Sequence, residues 1–237
     1  ESFAPLLAEA VAKLEAEEHL AGVILGSAKK TFFAGGDLRR LSSIEAGGEQ
    51  EFFEGLESMK AIMRRLERLP VPVVAAINGA ALGGGFEALL CFDVVIAERS
   101  ARFGLPEMLF GLFPGMGAHA FLSRQLGSVA AEKLITSGKN LTAREMLALG
   151  LVHDVVPDGT GEEAVQAFIE KNARRHAGLL GSRRAIKRSW NLSLAELSEI
   201  TEIWADTALK LTERDLKLMG RLADKQSRVM QKAAELA

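Results

Sequence analysis

Two carboxylates in apolar surroundings are the residues of this sequence best placed to do acid–base chemistry. Glu87 lies in the run "FEALLCF", and Glu107 lies in "GLPEMLFGLFPGMG". Because burial disfavours the charged form, the pKa of each carboxyl group is predicted to be raised. Such a pair can share general acid and base work near neutral pH. Taken singly, each has a structural alternative, since Glu87 would suit a helix start and Glu107 an ordinary salt bridge.

Two glycine-rich stretches could place bare backbone N–H groups into a pocket. One is "AGGD" at residues 34–37, and the other is the glycine triplet at residues 83–85. Each is predicted to follow a buried strand, and open α/β sheets bind ligands at strand ends. Two N–H donors converging on one oxygen would stabilise an enolate or a tetrahedral oxyanion. The simpler alternative is that these glycines only permit tight turns.

The elements that must position these groups alternate between helices and short buried strands. Apolar spacing predicts helices at residues 3–18 and 49–69. Continuous apolar runs predict strands at residues 22–27, 70–77 and 93–98. Buried strands that alternate with helices indicate an α/β core.

The second half of the sequence is predicted to be mainly helical. Thr142 and Glu145 have the spacing of a capping box, and Gly150 is placed to end the helix that they open. From residue 161 onward the pattern is almost entirely helical and amphipathic. We expect this helical end to pack against the core or to oligomerise.

Composition and missing motifs exclude several other classes of protein. The 237 residues carry 29 basic and 31 acidic side chains, so neither nucleic acid nor a membrane surface is a predicted partner. The longest apolar runs are too short to cross a bilayer. A single cysteine, Cys91, suits a reducing compartment, and we expect a cytoplasmic protein. Neither a phosphate-binding P-loop, a serine-hydrolase elbow nor a local metal motif occurs, and we expect no metal or cofactor.

The order and spacing of three motifs resemble the crotonase superfamily, also called the enoyl-CoA hydratase/isomerase family. They are "FFAGGDL", "PVVAAINGAALGGGFEALLCFDVVIAERSARFGLPEMLFGLFPGMG" and "LTAREMLALGLVHDVVP", and the resemblance covers nearly the whole chain. It implies an α/β fold of repeated ββα units wound into a superhelix. It further implies a core over residues 1–175 that lacks the family's N-terminal strands, and a C-terminal helical trimerisation region over residues 176–237.

The resemblance also implies roles for individual residues. The N–H groups of Gly36 and Gly84 would bind the oxygen of an acyl thioester and stabilise its enolate. Glu87 and Glu107, separated by 20 positions (107 − 87) as in hydratases, would flank the α,β-carbons. One would activate water for attack at the β-carbon, and the other would deliver a proton to the α-carbon. Asp37 would mainly hold the oxyanion loop.

A further set of residues is expected to contact the substrate. The residues near the thioester or in the acyl pocket are Phe33, Ala34, Leu38, Leu112, Phe113 and Gly115. Apolar residues in these segments would serve equally well as plain core.

The sequence thus predicts an enzyme that hydrates 2-enoyl thioesters or dehydrates 3-hydroxyacyl thioesters, carried by CoA or acyl carrier protein. The resemblance implies a homotrimer or a dimer of trimers. However, "LPEMLFGLFPGMGAHAF" and "ITEIWADTAL" resemble the diffusible-signal-factor synthases, whereas "KKTFFAGGDL" is more similar to an ordinary β-oxidation hydratase. Diffusible-signal-factor synthases dehydrate 3-hydroxyacyl carrier protein and then hydrolyse the thioester to a cis-2-enoic acid. A third alternative, a catalytically silent binding subunit, is disfavoured because all four site residues are present.

Overall fold

Two four-stranded sheets form the framework of the computed structural model, which describes residues 3–36, 49–222 and 224. With strands numbered in chain order, the first sheet is entirely parallel and contains, in spatial order, β1 (Val23–Leu25), β3 (Val73–Ile77), β5 (Val94–Glu98) and β8 (Asp154–Val156). The second sheet contains β2 (Thr31–Phe33), β4 (Ala80–Leu82), β6 (Arg102–Gly104) and β7 (Asn140–Thr142), and only β7 is antiparallel to its neighbour. The predicted α/β class is confirmed.

Helices connect and cover the strands. In chain order they are α1 (Phe3–Ala16), α2 (Glu49–Glu67), α3 (Gly84–Leu89), α4 (Ala118–Leu126), α5 (Ser128–Ser137), α6 (Ala143–Ala148), α7 (Gly161–Asn172), α8 (His176–Ser189) and α9 (Leu194–Ala208). Short 3-10 segments occur at Pro106–Phe110 and Ala173–Arg175, and residues 213–222 are also helical. The predicted first two helices are confirmed as α1 and α2, each ending two residues earlier than expected.

The first sheet forms the centre of the core because both of its faces are covered. Every residue of β3 and β5 is buried, which explains their unbroken apolar runs. Val74 and Ile96 face a cluster with Val165 of α7, whereas alternate residues of the same strands face the main core. The predicted strands at 22–27, 70–77 and 93–98 correspond to β1, β3 and β5.

The second sheet is the part that sequence patterns did not predict. Its strands are three residues long, too short for an alternating pattern to stand out from a loop. Each glycine stretch follows a strand, as expected, although neither strand is one of those predicted at residues 22–27 and 70–77, and β2 is only half-buried. They follow β2 and β4 of the second sheet.

The predicted capping box at the start of α6 is confirmed. The Glu145 N–H donates to the Thr142 hydroxyl at 3.2 Å, and the Thr142 N–H donates to the Glu145 carboxylate at 2.7 Å. Gly150, with φ of 75°, follows this helix as predicted.

The helical end folds back onto its own chain. Leu197 of α9 is buried in the main core, and Trp204 packs with Phe110, Leu112 and Met219 in a second cluster. The boundary at residue 175 and the trimer stay predictions. Among the described residues, no helix combines the length and apolar character needed to span a membrane.

Candidate active site

The carboxyl edge of the second sheet brings the predicted site residues together. β2, β4 and β6 are parallel neighbours, so their carboxyl ends lie along one edge. Residues 34–36 follow β2, Gly83 follows β4, and Glu107 follows β6 within the 3-10 segment. The Gly83 N–H donates to the Gly104 carbonyl at 2.9 Å, which fixes the second glycine loop against the end of β6.

The two glycine loops touch at this edge. Gly35 adopts a φ of 88°, and a Cβ placed on it would lie 3.2 Å from the backbone nitrogen of Gly84. A Cβ placed on Gly84 would lie 4.0 Å from the backbone nitrogen of Gly36. Gly84 is the first residue of α3, so its N–H lacks an acceptor within the helix. The structure thus places Gly36 beside Gly84, and their role as oxyanion donors stays a prediction.

A side chain would have a different effect at each of the three glycines at residues 83–85. Gly83 has a φ of 54°, and a Cβ there would lie 2.6 Å from Oε1 of Glu107. A Cβ on Gly85 would lie only 2.0 Å from the carbonyl oxygen of Phe33. A Cβ on Gly84 would make only ordinary contacts, the nearest being Met116 Sδ at 3.6 Å. Packing of the described residues therefore requires glycine at 83 and 85 but not at 84.

Glu87 is a buried carboxylate held by backbone donors. It lies in the first turn of α3 and is only 5% exposed. Its Oε1 accepts the Met116 N–H at 2.8 Å and the Ala118 N–H at 3.0 Å. Burial raises the pKa of Glu87 to about 7, while these hydrogen bonds act in the opposite direction because they stabilise the ionised form. Glu87 thus does more than cap a helix, since it joins α3 to the segment that opens α4.

Glu107 is partly buried and lacks comparable donors. Its Oε1 lies against Gly83, and its Oε2 is buried with no hydrogen-bond partner among the described residues. Burial, and then the charge of Glu87, raise the pKa of Glu107 to about 8. The pKa of Glu107 is thus raised further than that of Glu87, whose charge is stabilised by two N–H donors.

Two of the residues that are predicted to contact the thioester near the first glycine loop lie within the described part of the chain. Phe33 ends β2, is half-buried and lies beside Gly85. Ala34 follows it directly and is also half-buried. Asp37 and Leu38 lie outside the described residues.

The predicted acyl-pocket residues have identifiable partners within the chain. Leu112 is buried in the cluster that contains Trp204. The Phe113 ring lies edge-to-face with the His119 ring, with centroids 5.3 Å apart. Gly115 abuts Trp204, because a Cβ on it would lie 2.4 Å from the indole Cγ. Contact of these residues with a substrate stays a prediction.

The groups that sequence analysis missed are the backbone donors to Glu87. A backbone N–H has no residue-type signal, so neither Met116 nor Ala118 was predicted to donate. The sequence feature that could have indicated these donors is the glycine-rich stretch "PGMGA". Its Gly117 adopts a φ of 129° and lets the chain turn toward the carboxylate.

Comparison with known sequences identifies the family. The sequence model of the enoyl-CoA hydratase/isomerase family matches residues 3–209. The chain belongs to this family. The predicted crotonase resemblance is therefore confirmed, although no comparison separates out the signal-factor synthase branch.

Solved structures of enoyl-CoA hydratases have the same fold. The enzyme from Bacillus anthracis is 30% identical, with a TM-score of 0.72 over 94% of this chain and 85% of that chain. The enzyme from Bacillus halodurans is 25% identical, with a TM-score of 0.78 over 92% of this chain and 88% of that chain. An enoyl-CoA hydratase from Mycobacterium avium subsp. paratuberculosis is 25% identical, with a TM-score of 0.75 over 91% and 85% of the two chains.

Proposed function

We propose that this chain catalyses the reversible addition of water to 2-enoyl thioesters, giving 3-hydroxyacyl thioesters. The observation that carries the proposal is the pair Glu87 and Glu107, one buried and one partly buried carboxyl group with raised pKa, beside two glycine loops that touch. Membership of the enoyl-CoA hydratase/isomerase family supports chemistry on an acyl thioester.

The glycine loops supply the electrostatic part of the mechanism. The thioester oxygen accepts hydrogen bonds from the N–H groups of Gly36 and Gly84. Negative charge develops on this oxygen when a nucleophile adds to the β-carbon. Because both donors are backbone groups that lie beside each other in the folded chain, they stabilise the enolate with little reorganisation during the reaction.

The two glutamates supply the proton transfers. Ionised Glu87 removes a proton from water while the water oxygen bonds to the β-carbon, and the electrons of the C=C bond move toward the thioester oxygen. Protonated Glu107 then gives its proton to the α-carbon as the enolate collapses. One water has been added, and transfer of the proton from Glu87 to Glu107 restores the starting state. The reverse sequence dehydrates a 3-hydroxyacyl thioester.

The carrier, the assembly and the location belong to the same proposal. The similar structures named above are enoyl-CoA hydratases, which favours CoA over acyl carrier protein as the carrier. We expect a homotrimer or a dimer of trimers. A cytoplasmic location fits the free, buried thiol of Cys91.

Mass spectrometry of the products from matched substrates tests this function. The enzyme is incubated with a 3-hydroxyacyl-CoA and, separately, with the same acyl group on acyl carrier protein. We expect a 2-enoyl thioester from the CoA substrate and no free acid. Free cis-2-enoic acid from the carrier-protein substrate would instead support a signal-factor synthase. Failure of both substrates to react would support a silent binding subunit.

A further inference from the structure

One buried face of helix α9 packs against the loop of residues 115–117, which contributes a hydrogen bond to Glu87. Leu197, Thr201 and Trp204 are spaced four and three residues apart, so they share one helix face, and all three are buried. Leu197 Cδ2 lies 3.2 Å from where a Cβ on Gly117 would be, and Trp204 fills the space beside Gly115. The loop is therefore shaped to fit α9.

The polar residue of this buried face is bonded directly to the loop. The Thr201 hydroxyl, which is fully buried, donates toward the Gly115 carbonyl oxygen at 2.9 Å and shares its proton with the Leu197 carbonyl at 3.0 Å. It also accepts a hydrogen bond from Lys60 Nζ at 2.8 Å. Since the ammonium group occupies an acceptor site of the hydroxyl, the hydroxyl proton is directed toward the two carbonyls.

Lys60, which donates to the Thr201 hydroxyl, is unusual because its cationic side chain is buried. Its side chain is 5% exposed, extends from α2, and donates to the Leu197 carbonyl at 3.3 Å as well as to Thr201. Glu57, one turn earlier on α2, forms an ion pair with it. A buried charge with these partners holds α2 and α9 in a fixed relation.

The peptide unit between Gly115 and Met116 links this cluster to the site. Its carbonyl oxygen accepts from Thr201, and its N–H is the group that donates to Glu87 Oε1 at 2.8 Å. The described chain has no cis peptide bond, so the two groups lie in one rigid plane and point in opposite directions. A hydrogen bond at the carbonyl both orients the N–H and polarises it toward its acceptor.

We propose that Thr201, supported by Lys60, is a positioning residue for Glu87 that acts through the Gly115–Met116 peptide. Thr201 does not take part in the chemistry itself. It holds the peptide whose N–H orients the Glu87 carboxylate and stabilises its charge. The kinetic consequences rest on the proposed function, whereas the effect on Glu87 does not.

The test compares Thr201→Val, which keeps the shape but lacks the hydroxyl, with Thr201→Ser, which keeps the hydroxyl. We expect Thr201→Val to lower kcat by about 10-fold to 100-fold, since small misplacements of a reacting group cost this much. KM should change less than about threefold, because Thr201 does not touch the substrate. Thr201→Ser should recover most of kcat. The matched control is Thr207→Val, because within the described residues the Thr207 hydroxyl donates to the Ile203 carbonyl of the same helix.

A carboxyl ¹³C NMR titration reports on Glu87 without relying on activity, with the Glu87 signal assigned from its absence in Glu87→Gln. Thr201→Val should raise the apparent pKa of Glu87 by about half a pH unit or more, because its N–H donor is weakened. This rise in a protein that lacks hydratase activity would leave the inference standing and reject only the function. Unchanged kcat and unchanged Glu87 titration in a folded Thr201→Val variant would overturn the inference. If that variant does not fold, Thr201→Ala is measured with the same expectations.

Discussion

The Met116 N–H donates to Oε1 of Glu87 at 2.8 Å, so a carboxylate on α3 is held by backbone that precedes α4. Glu107, the other acid, has a buried Oε2 without such a partner in the described part of the chain. This asymmetry between two neighbouring carboxyl groups underlies the assignment of Glu87 as the base and Glu107 as the acid.

Replacing either glutamate with glutamine should remove proton transfer while keeping the shape of the site. We expect Glu87→Gln and Glu107→Gln each to lower kcat for crotonyl-CoA hydration by about 100-fold to 10,000-fold. A coupled hydration assay measures this, with circular dichroism to check folding. Glu132→Gln is the control, because Glu132 is exposed on α5. Full activity in both site variants would exclude the two-glutamate mechanism.

Alanine at Gly84 should impair function without impairing folding. Its Cβ would make only ordinary contacts within the chain, yet it would stand beside the N–H group that is proposed to bind the thioester oxygen. We expect kcat/KM to fall by at least about tenfold and the melting temperature to stay close to that of the parent protein.

Gly85→Ala, in contrast to Gly84→Ala, should impair folding. Its Cβ would lie 2.0 Å from the Phe33 carbonyl oxygen, so we expect a markedly lower melting temperature or insoluble protein. Thermal unfolding of the two variants side by side separates the two roles. A fully active Gly84→Ala would show that the bare backbone at residue 84 is not needed for substrate.

Activity should depend on pH in the way expected of one ionised and one protonated carboxyl group. The pKa of Glu87 is raised to about 7 and that of Glu107 to about 8. For hydration, kcat/KM should therefore fall below about pH 7, where the base becomes protonated, and above about pH 8, where the acid loses its proton. Initial rates between about pH 5 and pH 10 test this bell shape. A flat profile across that range would be incompatible with it.

The raised pKa of Glu107 should also destabilise the fold at alkaline pH. Between the ordinary value of 4.5 and about 8, the folded state keeps a proton that the unfolded chain releases. Stability therefore falls as pH rises through this window, and the full cost is present above it. Glu107→Gln cannot ionise, so we expect it to be more stable than the parent protein by about 1 to 3 kcal/mol at pH 9.

Urea unfolding of both proteins near pH 4 and pH 9 measures that difference. Near pH 4 Glu107 is mostly protonated in both states, so the advantage of the variant should largely disappear. An equal difference at the two pH values would argue that the substitution acts through packing rather than through ionisation.

Sequence patterns predicted the parts of this fold whose signal is local. β3 and β5 are buried on both faces and read as unbroken apolar runs, and the Thr142 capping box has a fixed spacing. Glu87 and Glu107 were conspicuous as charged residues within apolar segments. Each of these features depends on residues within a few positions of one another.

The second sheet and the support from α9 could not be predicted in this way. Three-residue strands such as β2 and β4 carry no periodicity, although they place the glycine loops. Thr201 lies 86 residues from Gly115, and one threonine on an amphipathic helix gives no indication of such a contact. These relationships arise from tertiary packing, which fixes the site only after the chain has folded.

The most direct test of the central claim is to follow the oxygen of water during crotonyl-CoA hydration in H₂¹⁸O. We expect one ¹⁸O in the hydroxyl group at the β-carbon of 3-hydroxybutyryl-CoA, and a much slower incorporation with Glu107→Gln. Mass spectrometry of the intact thioester and of its fragments locates the label. Failure of the parent enzyme to incorporate the label, or its appearance only in the carboxyl group of a released acid, would contradict the account.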